Sequence, residues 1–226
     1  MRRNIFQKAA RKGSRIKSSG EAGFTLLELL TSMTVLALLA GMMMPAFVQT
    51  GKARDVGRAA RMVSNLLESA RTEAITHRTV TRMVVASNWA GNPAANFRKV
   101  SVWRNDSSAG WKQVSRWEEL PASIACEPTA PAYVPDSTPA NYLLGGSANT
   151  FTSTVGGNAV DMLFVEFLPS GAARMPQAPG PEVWLTLAPG TITDGAMVHQ
   201  AAGGTPPNWA KISANTLSGR LKITQP

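Results

Sequence analysis

A single carboxylate, Glu28, stands inside an otherwise uncharged run, FTLLELLTSMTVLALLAGMMMPAFV, from Phe24 to Val48. An ionisable group near a bilayer centre costs on the order of 2.5 to 3.5 kcal/mol on insertion scales, so it needs either an interfacial position or a partner. Glu28 is close to the start of the run, where it can reach the headgroups and snorkel or protonate. The other solution is a cation, and no nearby side chain supplies one. A cut between Gly23 and Phe24 does: it creates an α-amino group one helical turn before Glu28. That amine can pair with Glu28 of its own chain or of a neighbour in an assembly, so docking of a subunit neutralises two costly charges together.

The remaining groups with chemical potential do not converge. His77 and His199 are the only histidines, and no Cys-x-x-Cys, His-x-x-x-His or Asp-x-Asp spacing is present, so neither a metal nor a cofactor is expected. His77 reads as a helix-end residue suited to the dipole, and His199 as a loop residue. Cys126, the one cysteine, reads as a packed thiol. The glycine-rich pieces around Gly145, Gly156 and Gly203 lack both G-x-G-x-x-G and the Walker lysine. Glu118 and Glu119 are adjacent, so on a strand they point to opposite faces and make a poor catalytic pair. The six tryptophans read as fillers of the sheets. The expectation is that the chain is not an enzyme.

Arg2, Arg3, Lys8, Arg11, Lys12, Arg15 and Lys17 face only Glu21 in residues 1–23, which therefore carry most of the +9 net charge of the 226-residue chain. An alkaline balance held in a terminal tip points to targeting more than to nucleic acid. The apolar run is roughly 37 Å long as a helix, against a hydrocarbon core of about 30 Å, and is too long for the apolar region of a secretory signal. One membrane span over residues 24–48 is expected. The basic leader stays cytoplasmic by the positive-inside rule, and everything after about residue 50 lies outside.

Beyond Pro45, Val56, Ala59, Ala60, Val63, Leu66, Leu67, Ala70, Ala74 and Ile75 recur at spacings of three and four, which predicts that an amphipathic helix continues to about Thr76. Glu68 and Arg71 are placed for an i,i+3 pair on its wet face. The period then drops to two, with strands predicted at Val80–Ala86, Phe97–Arg104, Lys112–Trp117, Met162–Phe167, Glu182–Leu187, Trp209–Ser213 and Arg220–Thr224. No helical pattern separates them, so pairing is expected to be antiparallel. Residues 127–159 and 191–207, rich in Pro, Gly, Ser, Thr and Asn, read as long surface loops. The fold class is α+β: a long N-terminal helix packed on an antiparallel β-sheet head.

GFTLLELL, with Gly23 before the cut, Phe24 after it and Glu28 as fifth residue of the product, resembles the class III signal of type IV pilins and pseudopilins. The resemblance implies removal of residues 1–23 by a prepilin peptidase, N-methylation of Phe24, and packing of the apolar helices, 24–48, into a filament core with other pilin or pseudopilin subunits. It also implies an inner-membrane platform as partner, and a periplasmic head over 80–226 joined through an amphipathic helix over 49–79. Pro45 falls where many pilins carry a helix-kinking proline. ARTEAITHRTVTRMVV, FLPSG at Phe167–Gly171 and LSGRLKI at Leu217–Ile223 look like the GspH/FimT type of minor pseudopilin, with Ser218 in place of the usual threonine. That type implies a subunit at the tip of a type II secretion pseudopilus or type IV pilus. A DNA-uptake role is the alternative, with Lys211, Arg220 and Lys222 as its nucleic-acid contacts; an orphan membrane-anchored pilin-like protein is a further one.

Overall fold

The computed structural model describes residues 24–106, 109–135, 139–144, 149–175, 180–199, 201 and 204–226, with the side chains of 43–50 and 139 outside the description. One helix, α1 (Leu26–His77), is followed by strands β1 (Thr81–Trp89), β2 (Lys99–Asp106), β3 (Gly110–Gln113), β4 (Glu118–Glu119), β5 (Ile124–Cys126), β6 (Thr150–Val155) and β7 (Asn158–Phe167). After these come β8 (Ala173–Arg174), β9 (Glu182–Pro189), β10 (Thr191–Thr193), β11 (Ala196–Val198), β12 (Ala210–Asn215) and β13 (Leu221–Thr224). The chain divides into two compact units, residues 1–45 and 46–226, each described by itself.

In the second unit, the small and apolar stripe Val56, Ala59, Ala60, Val63, Leu67, Ala70 and Ala74 is buried. Four alanines in that stripe let the helix backbone approach the sheets closely, and the stripe shares one core with Met83, Val85, Val100, Val102, Val165, Leu185 and Ile212. The helix ends on two backbone bonds, from the amide of Arg78 to the Ile75 carbonyl at 3.4 Å and from that of Thr79 to the Ala74 carbonyl at 3.2 Å. Arg78 has φ of 51°, so this is the Schellman ending with an arginine where glycine is usual.

Among the described residues every pair of named strands is antiparallel, as expected, and Tyr142 and Trp184 add one isolated parallel bridge. The larger sheet has the order β3-β2-β1-β7-β6, with β4 on β2 and β8 on β7, and the smaller one the order β13-β12-β9-β5. Alternation along the strands of the larger sheet sends Met83, Val85, Val100, Val102 and Val165 to the helix side. It sends Val84, Ala86, Trp103, Val160, Met162 and Phe164 into a second cluster on the other face. There Trp111 of β3 meets Phe151 of β6 with ring centroids 5.7 Å apart, so the two edges of the sheet curl toward each other over this face.

Two expectations need correcting. The 127–159 tract is not wholly a surface excursion: Val134, Tyr142, Leu143 and Leu144 are buried in the main core, and β6 lies within it. Tyr142 packs at a tilt against Trp184, ring centroids 4.5 Å apart, and donates to the Glu127 carbonyl at 2.6 Å, which ties the tract down despite its proline and glycine content. The 191–207 stretch likewise holds the β10-β11 hairpin.

Candidate functional site

Of the residues assigned to processing and assembly, Gly23 lies outside the described residues, as does the side chain of Pro45. Phe24 is 79% exposed and precedes the helix. Thr25 caps the helix: its Oγ1 accepts from the Glu28 amide at 3.2 Å, and its carbonyl accepts from the Leu29 amide at 3.1 Å. Thr25-x-x-Glu28 is thus the spacing of a capping box, a signal that reading Glu28 only as a charge in an apolar run passes over. It places the carboxylate in the first turn, where the helix dipole favours negative charge, one turn from the position of the Phe24 amine.

The polar side chains that follow are folded back on the helix itself. Thr31 Oγ1 donates to the Glu28 carbonyl at 3.0 Å, Ser32 Oγ to the same carbonyl at 2.7 Å, and Thr34 Oγ1 to the Leu30 carbonyl at 3.1 Å. Such internal bonds cancel hydroxyl polarity in an apolar medium, where every unsatisfied group is costly. Around them Leu26, Leu27, Leu29, Leu30, Met33 and Leu36 are all more than half exposed. Among the described residues no helix is long and apolar enough to cross a membrane. The described side chains of the apolar run end at Met42, short of the roughly 20 residues a span requires.

The three head motifs, scattered along the sequence, meet at one corner. Arg71, on the last turns of the helix, donates from Nε to the Gly171 carbonyl at 3.2 Å. Gly219, in the β12-β13 turn, has φ of +65°, and a Cβ on it would collide with that same carbonyl and with the Arg71 side chain. Ser218 donates from Oγ to Asn215 Oδ1 at 3.0 Å within the turn. Glu73 takes Arg104 at 2.5 Å and His77 at 3.4 Å, fastening the helix end to β2. Gly219→Ala therefore combines a left-handed backbone with an occupied space, and is expected to destabilise the head by about 2 to 4 kcal/mol. A urea midpoint unchanged from wild type would show that the corner has room.

The basic trio near the C-terminus is not a cluster of available cations. Lys211 is 8% exposed, bonds Glu182 Oε1 at 3.1 Å and lies 5.0 Å over the Trp184 ring, whereas Arg220 and Lys222 are exposed. A tally of charges along the sequence counted a lysine that the fold uses internally. Glu118 and Glu119 have separate partners, Arg116 and Arg98, each at 3.2 Å. Cys126 is fully buried, and that burial pushes its thiol up to about 12. Glu68 and Arg71 pair at 3.6 Å as their spacing predicts.

His199 is a loop residue, as its sequence context predicts, but it has partners that the sequence does not signal. It follows β11 but is nearly buried, its Nε2 lying 2.7 Å from Glu127 Oε1 and its Nδ1 3.0 Å from the Pro189 carbonyl. Tyr133 donates its hydroxyl to the same Glu127 oxygen and meets the imidazole edge-on. Another polar group with no sequence signal is the row Arg82, Glu166, Arg174 across β1, β7 and β8. Glu166 accepts from both guanidinium groups at 2.7 Å.

Residues 18–44 match the family model for the prokaryotic N-terminal methylation motif. That motif overlaps the start of a long helix whose second part packs on antiparallel sheets. Among solved structures the chain is similar to the minor pseudopilin EPSH from the type II secretion system of Vibrio cholerae, at 11% identity over 76% of this chain and 97% of that one, with a TM-score of 0.41. No curated protein matches the chain.

Proposed function

We propose that the chain is a minor pseudopilin or pilin-like structural subunit without catalytic activity. A prepilin peptidase removes residues 1–23, the new Phe24 amine is methylated, and residues 24–48 hold the product in the inner membrane with the head, 80–226, in the periplasm. From there it joins other pilin-like subunits at the tip of a type II secretion pseudopilus or type IV pilus, residues 49–79 carrying the head.

One observation carries the reading: a methylation motif over 18–44 coincides with an apolar run, 24–48, whose described side chains are exposed and whose single carboxylate lies in the first turn of the helix. Exposed leucines on every side of a helix have no place in water and call for lipid or other helices. A carboxylate among them calls for the positive end that processing creates.

Intact-mass measurement of membrane-extracted protein tests the processing step. The mature chain is expected to begin at Phe24 with one added methyl group, and Gly23→Leu, which puts a bulky side chain at the cut, is expected to leave nearly all of the chain uncut. A wild-type chain that still begins at Met1 in its working complex would defeat the proposal.

A further inference from the structure

The cluster around His199 joins two stretches that are far apart in sequence. Glu127 and Tyr133 belong to the tract that leaves β5, whereas His199 leaves the β10-β11 hairpin. We propose that Glu127, His199 and Tyr133 form a latch held by a single shared proton, fastening the 127–135 tract to the hairpin and releasing it in alkali.

The proton count follows from the partners. The Pro189 carbonyl can only accept, so the Nδ1 facing it at 3.0 Å carries a hydrogen. Between Nε2 and Glu127 Oε1, 2.7 Å apart, one proton must lie on either the imidazole or the carboxyl group. Without it, a nitrogen lone pair would face a carboxylate in a site where the two side chains are 10% and 5% exposed. With a second proton, a buried positive charge would be left without a counterion. Tyr133 cannot take over, since its hydroxyl already donates to the same oxygen.

The neighbours leave this proton alone over a wide pH range. Burial pushes the Cys126 thiol up to about 12, and raises Tyr133 and Tyr142 above the usual phenol range, with the Glu127 contact adding to the effect on Tyr133. Burial likewise raises Glu127 itself, against the opposing pull of Tyr133 and His199, in keeping with a proton retained in the pair. The other groups packed here, Trp209 and the Pro189 carbonyl, do not titrate.

An unfolded Glu and His together hold two protons below about pH 4.3, one from there to about 6.5 and none above. The latched geometry needs one, because Nδ1 is committed to the Pro189 carbonyl and Nε2 faces Glu127 Oε1 at 2.7 Å. Above about 6.5 the folded state therefore binds a proton that the unfolded state lacks, and stability falls as pH rises, by a factor of about ten in the unfolding constant per pH unit. Below about 4.3 the unfolded state binds the extra proton, and stability falls as pH falls.

Urea unfolding of the full processed chain in detergent micelles, from pH 4 to 9.5, tests this against Glu127→Gln, which removes the carboxylate that the proton bridges to, and independently against His199→Gln, which removes the imidazole. The ratio of wild-type to variant unfolding constants is expected to climb about tenfold per pH unit on the alkaline side. A ratio flat between pH 6.5 and 9 overturns the shared proton. Proteinase K tests the release: wild type is expected to be cut within 128–135 more readily at pH 9 than at pH 7, with Glu127→Gln unchanged between them. Equal cutting of wild type at both values overturns the latch.

Discussion

A Glu28→Ala chain is expected to lose its leader as efficiently as wild type and then to fail in assembly. The peptide bond that is cut lies a turn away from Glu28, so its removal leaves Gly23 and Phe24 as substrate. Assembly is different because it is there that the carboxylate must leave water or headgroups for a bundle of apolar helices. At about 2.5 to 3.5 kcal/mol for an unpaired charge at mid-membrane, each docking event is rewarded by a comparable amount when Glu28 meets a Phe24 amine, and that corresponds to roughly a hundredfold in the docking equilibrium. The helix is already arranged for the exchange. Glu28 sits in the first turn under the Thr25 cap, and Thr31 and Ser32 turn their hydroxyls onto its carbonyl, leaving the carboxylate as the exposed polar group of this stretch. Removing it also leaves the new amine without a partner. Glu28→Gln keeps the shape and loses the charge, so it is expected to behave like alanine. Intact mass reads the cleavage, and in-membrane cross-linking to neighbouring subunits reads the assembly. An alanine variant that cross-links as well as wild type would remove the pairing mechanism.

The residues that were legible in the sequence are those whose role depends on local pattern. Val100 and Val102 alternate and lie in the main core, Val183 and Leu185 likewise, and the alanine-rich stripe from Val56 to Ala74 sits at helical spacing against the sheets. What was illegible depends on pairing across long separations. β6 is a run of threonine, serine and two apolar residues inside a tract whose composition signals a loop, and it becomes a strand because β7 offers it an edge. Tyr142 looks like one more residue between prolines and glycines, yet Trp184 and the Glu127 carbonyl bury it. Arg71, Gly171 and Gly219 appear in three separate motifs, and only the fold shows that one carbonyl joins them. Lys211 and the surroundings of His199 were illegible for the same reason: a side chain's burial is not known until its partner, Glu182 or Glu127, is known.

Glu166→Ala is expected to cost the head about 3 kcal/mol, because it strands a cation that cannot move. Arg82 lies at the centre of the curled face, its guanidinium 3.8 Å from the Trp111 ring centroid and 3.7 Å from that of Phe164. Burial pulls its pKa below the usual arginine value while the bond and the charge of Glu166 hold it up, so the carboxylate is what makes the site tolerable for a charge. Arg174 contributes less to the expected loss, since it is 55% exposed and can turn to water when Glu166 goes. Arg82 cannot, because Trp111 and Phe164 close on it and Phe151 bridges from the opposite sheet edge. The expectation separates a stranded charge from a lost contact. If the charge is the cause, Arg82→Met combined with Glu166→Leu recovers most of the stability, since apolar side chains of similar volume commonly replace a buried ion pair without loss. If lost contacts are the cause, the double variant is worse than either single one. Urea midpoints of the full chain read both, and a Glu166→Ala midpoint within about 0.5 kcal/mol of wild type would mean that Arg82 reaches water after all.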